Sequence, residues 1–217
     1  MIITAITPSP RKPGRFTIQV DGLERVTLSL DVIERLRLGA GAVLDDRIAL
    51  AVEREAAILE TYDRALNMLA VRGRSTAELR RLLLRKGEAA DCVEAAIQHL
   101  LTAGLLDDAS FARQFARSKA LGAGLSRRRL QQELARRGVA RDVSNVAIEE
   151  ALAEEGIDDA TSIERVARKK LPTLARLDAA TQRRRLSAFL ARRGYDFDDI
   201  NRVVGALLVT TAAESEE

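Results

Sequence analysis

The sequence predicts a mainly α-helical protein, with three tandem three-helix repeats forming an elongated, curved helical body behind a small β-rich N-terminal module. Two observations carry the repeats. A basic phrase closing on glycine occurs three times, as Leu83-Leu84-Arg85-Lys86-Gly87, Leu134-Ala135-Arg136-Arg137-Gly138 and Leu190-Ala191-Arg192-Arg193-Gly194, at spacings of 51 and 56 residues. When the copies are set on those glycines, the apolar positions fall into register: Leu79, Leu130 and Leu186; Leu83, Leu134 and Leu190; Ile97, Ile148 and Val204; Leu101, Leu152 and Leu208. A period near fifty with matched core positions is the mark of stacked structural units. A third observation carries the module: the first thirty residues alternate in hydrophobicity around turn signals, and no later stretch does so.

The module begins with a β-prone run, Met1 to Thr7, ended by Pro8, Pro10 and Pro13. Arg15 to Val20 alternates, Asp21-Gly22 is a hairpin signal, and Val26 to Leu30 alternates again, which together read as a β-meander. Asp31 to Leu38 is expected to be a short helix stopped at Gly39. A further helix from Asp45 or Asp46 runs to about Glu60 and leads into the first repeat. The expected divisions are 1–60 for the module, 61–109, 110–156 and 157–210 for the repeats, and 211–217 for an acidic tail.

Within each repeat the basic phrase reads as a helix end. Leucines four apart make an apolar stripe, arginine and lysine in the last turn suit the negative end of the helix dipole, and glycine takes the left-handed position that follows. Asp91, Asp142 and Asp198 are placed to cap the next helix. Ser75 with Glu78 has capping-box spacing, and Ser126 is placed to cap the helix holding Arg127 to Arg137. In the third repeat, Pro172 is expected to end the first helix, with further helices from Gln182 to Arg193 and from Asp198 to Val209.

Composition narrows the function. The chain has 217 residues, 47% hydrophobic and 31% charged, so it can bury a core. No apolar run reaches membrane-spanning length and no secretory signal pattern opens the chain, so a cytoplasmic protein without membrane contact is expected. One cysteine (Cys92) and one histidine (His99) leave no material for a disulfide framework or a histidine-cluster metal site. Cys92 is read as a packed thiol and His99 as a surface or boundary residue. Asp107-Asp108 is read as helix capping, set against the alternative of an acid pair or half a metal site. No phosphate loop or activated nucleophile is present, so neither an enzyme nor a cofactor is expected.

Charge distribution is the strongest signal. Net charge is only +3, yet nine basic residues face one acid, Glu133, between Arg113 and Arg141, and ten face two, Glu164 and Asp178, between Ile163 and Arg193. Acids collect in Glu149 to Asp159 and in the tail. Arginine greatly outnumbers lysine and forms forked contacts with phosphate or carboxylate. The candidate contact residues are Arg80, Arg81, Arg85 and Lys86 in the first repeat, and Arg127, Arg128, Arg129, Arg136 and Arg137 in the second. Those of the third are Arg183, Arg184, Arg185, Arg192 and Arg193. They are expected to form one stripe, open to nucleic acid or to an acidic protein surface.

Gly104-Leu105-Leu106-Asp107-Asp108-Ala109-Ser110-Phe111-Ala112, with Phe115 and Arg117, resembles the central signature of the RecX family. So do Arg72-Gly73-Arg74-Ser75-Thr76-Ala77-Glu78-Leu79 and Leu130-Gln131-Gln132-Glu133-Leu134-Ala135-Arg136-Arg137-Gly138-Val139. The match covers residues 62–152 and, more loosely, 158–208, and the β-rich start is similar to N-terminal extensions in that family. A non-enzymatic monomer is expected, and the resemblance implies a regulator of the bacterial recombinase RecA built from three tandem three-helix repeats. Such a protein binds the RecA filament on single-stranded DNA, lodges in its groove, and inhibits ATP hydrolysis, strand exchange and coprotease activity in recombination, DNA repair and the SOS response. Some family members also bind DNA directly, so a sequence-independent DNA-binding protein is the alternative.

Overall fold

The computed structural model describes residues 1–10 and 12–214, leaving aside the side chains of 159 and 210–214, and divides into two compact units, Met1–Leu106 and Asp107–Glu217. The last helix carries the expected tail as far as Glu214, and the rest of the tail, 215–217, lies outside the described residues.

In the first unit, strands β1 (Ile3–Pro8), β2 (Arg15–Val20) and β3 (Leu23–Ser29) form an antiparallel meander. The β2–β3 turn is the Asp21-Gly22 pair, and both residues take positive φ (50° and 81°) as a two-residue hairpin of this kind requires. Ile3, Ile18, Val20 and Leu28 turn one sheet face onto α1 (Leu30–Arg35) and the first half of α2 (Asp46–Val71), burying Val32, Ile33, Val52 and Ala56. Neither glycine nor proline interrupts residues 46–71, so α2 runs as one helix through residue 60, where a module boundary was expected. Its second half supplies Ala65, Leu66 and Leu69 to a different core, shared with α3 (Thr76–Arg85) and α4 (Ala90–Thr102). Asp63 on the same helix accepts from Lys12 (2.7 Å) and Arg15 (3.2 Å) of the meander.

The second unit holds the other two repeats. The first consists of α5 (Asp108–Ser118), α6 (Arg127–Arg136) and α7 (Arg141–Glu154), and the second of α8 (Asp159–Lys170), α9 (Ala179–Arg192) and α10 (Phe197–Glu214). A π-helical turn at Lys119–Ala123 follows α5, and a 3₁₀ turn at Leu171–Leu174, containing Pro172, follows α8.

The aligned leucines are the centres of the cores: Leu79, Leu83, Leu130, Leu134, Leu186 and Leu190 are all fully buried. One register position departs, since Leu101 is exposed and Leu100, one residue earlier on α4, is buried instead. Each basic phrase ends its helix as expected, with Gly87, Gly138 and Gly194 at φ 87°, 78° and 88°. The amide of the residue after each glycine returns to the leucine carbonyl: Glu88 to Leu83 (3.3 Å), Val139 to Leu134 (3.1 Å), Tyr195 to Leu190 (3.4 Å). The capping role expected of Asp91, Asp142 and Asp198 does not hold. The chain enters α4 and α7 through Ala89 and Ala140, and the three aspartates sit inside the first turn, where their charge complements the dipole. Ser75, Ser126 and Asp107 do cap, accepting from Glu78 N (3.1 Å), Arg129 N (3.3 Å) and Ala109 N (2.8 Å).

Gly194 also packs closely. A Cβ there would lie 2.7 Å from both Arg129 Cβ and Ser126 Oγ, whereas one at Gly156, also at positive φ, meets nothing. Gly156→Ala is therefore expected to lower unfolding free energy by the left-handed penalty alone, about 1–2 kcal/mol. Gly194→Ala should lower it by distinctly more, and urea unfolding followed by circular dichroism compares the two.

Candidate binding surface

The three basic clusters occupy matching places on α3, α6 and α9, yet their surroundings differ. On α3, Arg80 forms a two-pronged pair with Glu94 of α4, Nε to Oε1 at 2.6 Å and Nη2 to Oε2 at 2.9 Å. That hydrogen bond holds the Glu94 carboxyl below its ordinary range. Arg81 donates to the Ala77 carbonyl at 3.2 Å, while Arg85 and Lys86 are exposed at the helix end.

On α6 one acid gathers most of the cluster. Glu133 accepts from Arg129 (2.8 Å), Arg136 (3.3 Å) and Arg137 (2.9 Å). The Arg137 guanidinium also lies 4.4 Å from the Phe115 ring centre. Arg128 reaches Asp196 at 3.2 Å, and Arg127, half-buried, is engaged as well. The hydrogen bond from Arg137, with the charges of the three arginines, pushes the Glu133 carboxyl down. The second repeat's arginines thus satisfy one another's acid.

On α9 the position matching Glu133 is Phe189. Arg193, the counterpart of Arg137, stacks on that ring at 3.5 Å from its centre and sends Nε to the Ala123 carbonyl at 2.8 Å. Ser126 N–H in turn donates to the Arg193 carbonyl at 3.0 Å, so Arg193 fastens α9 to the loop before α6. Its ligands are carbonyls and a ring face, not carboxylates, and burial lowers its pKa. Arg183, Arg184, Arg185 and Arg192 are exposed and have no ion-pair partner among the described residues. Of the two acids in this stretch, Glu164 pairs with Arg168 (2.7 Å), and Asp178 caps α9 through Thr181 N (2.8 Å).

Arg165, Lys169 and Lys170 of α8 were absent from the expected contact residues. With Arg193 they line a cleft of about 340 Å³ against the Gly122-Ala123-Gly124 loop. Their signal in the sequence is the basic run Arg165, Arg168, Lys169 and Lys170, counted among the ten cations between Ile163 and Arg193, with nothing local to say which loop it faces.

The remaining candidates have structural settings. Asp107 accepts from the amides of Ala109 and Ser110 as a helix cap. Cys92 is buried, and burial raises its thiol pKa. His99 is exposed and edge-on to Tyr62. No group of three or more metal-binding side chains occurs among the described residues, and none of their helices is long and apolar enough to cross a membrane.

The Glu133 cluster has a pH signature. A carboxyl depressed in the folded state adds stability that is fully present above its ordinary value of 4.5 and is lost as the pH falls through the depressed value. Glu133→Gln is expected to lower stability by about 1 kcal/mol at pH 7. It should flatten the loss of stability below pH 4.5, and urea midpoints taken from pH 7 to pH 3 measure both.

Three family models match in sequence order: the first three-helix domain of RecX over residues 62–100, the second over 107–152 and the third over 158–204. Curated relatives carry the name regulatory protein RecX. That of Pelodictyon phaeoclathratiforme is 35% identical over 153 residues, spanning 70% of this chain and 91% of its own. That of Mycobacterium avium is 40% identical over 156 residues, spanning 70% of this chain and 84% of its own. Among solved structures, one described as regulatory protein RecX aligns with a TM-score of 0.73 over 94% of this chain and 98% of that one, at 20% identity. RecX from Lactobacillus salivarius aligns at 0.55 over 70% of this chain and 96% of its own, at 19% identity. The three matched domains fall on the three-helix units described above, and the chain belongs to the RecX family of regulatory proteins.

Proposed function

We propose that this protein is a non-enzymatic, monomeric regulator that binds the RecA filament on single-stranded DNA and mainly inhibits its ATP hydrolysis, strand exchange and coprotease activity. In this reading it acts in the cytoplasm, in recombination, repair and the SOS response. Family membership supports the regulatory role. The observation that supports a contact surface is the contrast between clusters: α6 commits Arg129, Arg136 and Arg137 to Glu133 and Arg128 to Asp196, whereas on α9 Arg183, Arg184, Arg185 and Arg192 are exposed with no ion-pair partner among the described residues. An unpaired surface arginine meets an incoming acid or phosphate without first breaking an internal pair. The contact is therefore weighted toward the third repeat, with Arg85 and Lys86 as further candidates in the first.

The same unpaired arginines favour a second reading, direct sequence-independent DNA binding. Titrating the protein into RecA hydrolysing ATP on single-stranded DNA, with and without excess DNA, separates the two. Inhibition well below one protein per RecA subunit, unrelieved by extra DNA, is expected for a filament regulator; inhibition that extra DNA abolishes would establish the DNA reading instead.

For the surface itself, a chain with Arg183, Arg184, Arg185 and Arg192 changed to alanine is expected to need at least about tenfold more protein for half-inhibition, with helicity unchanged. Changing Arg129, Arg136 and Arg137 to alanine should move half-inhibition by less than about threefold and lower the melting temperature instead.

A further inference from the structure

We infer that the cleft between the Gly122–Gly124 loop and helices α8 and α9 is a docking site for an acidic peptide segment of a protein partner. Two features define it. Arg165, Lys169, Lys170 and Arg193 line it with no acidic residue among the lining groups, so its charge is unopposed. Its other walls are apolar, formed by Leu121, Val166 and Phe189.

The walls of the cleft are packed against one another. Gly124 has φ +62°, and a Cβ there would come within 2.4 Å of Val166 Cγ2, so loop and helix are in direct contact. Arg193 crosses the junction to the Ala123 carbonyl at 2.8 Å. Its guanidinium is desolvated without a neighbouring carboxylate, and a bound anion would supply the missing countercharge. Arg165 and Lys169 are exposed on the rim, and Lys170 lies 5.4 Å from the Phe189 ring centre.

Shape and chemistry select the occupant. A volume of about 340 Å³ takes one or two side chains rather than a length of strand. A phosphate backbone could meet the cations but would leave the apolar walls of Leu121 and Val166 uncovered, and a base entering to cover them would find the one ring already carrying the Arg193 guanidinium at 3.5 Å. A peptide carrying a carboxylate beside an apolar residue satisfies both walls, the acid forking onto the cations and the apolar side chain covering Val166 and Leu121. This site deepens the proposed regulatory contact and rests on it.

The test uses the full chain and a fluorescein-labelled peptide of alternating glutamate and leucine, read by anisotropy. Binding is expected, with affinity falling at least about tenfold in Arg165→Glu/Lys169→Glu. Both residues are exposed, so the thermal melt of that variant should match the parent's. A peptide with glutamine in place of glutamate should bind at least about tenfold more weakly. Absence of peptide binding, equal binding by parent and variant, or displacement of the peptide by oligo-dT at comparable concentration would each overturn the acidic-peptide site. The same variant is then assayed on the RecA filament, where weakened inhibition is expected. Full inhibition by a variant that has lost the peptide would overturn the cleft as the contact and leave the regulatory reading standing. A parent chain that binds the peptide but has no effect on the filament would overturn that reading instead.

Discussion

Each repeat depends on one backbone constraint, a glycine held at positive φ at the end of its middle helix. There the chain reverses with the amide of the next residue bonded back to a core leucine, at Leu83, Leu134 and Leu190. The turn fixes the angle at which the third helix returns over the second, and so sets which faces meet in the core. It also dictates where charge can go. The last helical turn before the glycine has its carbonyls exposed, and basic side chains are favoured there by the helix dipole. The terminal pairs Arg85 and Lys86, Arg136 and Arg137, and Arg192 and Arg193 are therefore first a consequence of folding, whereas Arg127 to Arg129 and Arg183 to Arg185 lie earlier on their helices and owe nothing to that end.

The partners of the clusters differ by a single position. In the second repeat Glu133 stands one turn before Arg137 and collects three arginines; in the third Phe189 stands one turn before Arg193 and offers a ring face. An acid in the turn makes a self-contained surface. An aromatic residue there holds the terminal arginine by stacking and leaves its neighbours without a countercharge. The same repeat geometry thus yields one cluster turned inward to stability and one turned outward. Arg193 serves both ends, since its carbonyl and its guanidinium hold the loop between Ala123 and Ser126 while its charge faces the cleft.

Most of the architecture was legible in the sequence because local rules govern it. Leucine spacing, the glycine stops, the Asp21-Gly22 hairpin and the serine caps are all set within a few residues. The aspartate caps were misplaced because Asp91 and Asp142 lie two residues past Ala89 and Ala140, which open α4 and α7, and Asp198 lies inside the first turn of α10, which begins at Phe197. The sequence also marked where arginines concentrate, but not which were spent. Part of that was local, since Glu133 takes Arg129, Arg136 and Arg137 from within one turn on either side; the rest lies in contacts between distant residues: Arg80 with Glu94 spans 14 positions, Arg128 with Asp196 spans 68, and Arg193 with Ala123 spans 70. The cleft was hidden for the same reason, because its cations come from α8 and α9 and its far wall from a loop more than forty residues earlier.

The central claim is that the third repeat, rather than the second, carries the electrostatic contact with the filament. Hydrogen–deuterium exchange of this chain with and without RecA assembled on single-stranded DNA tests it directly. New protection is expected across residues 165–170 and 183–193, with α6 exchanging alike in both states. Protection confined to residues 127–137, with α8 and α9 unchanged, would contradict it.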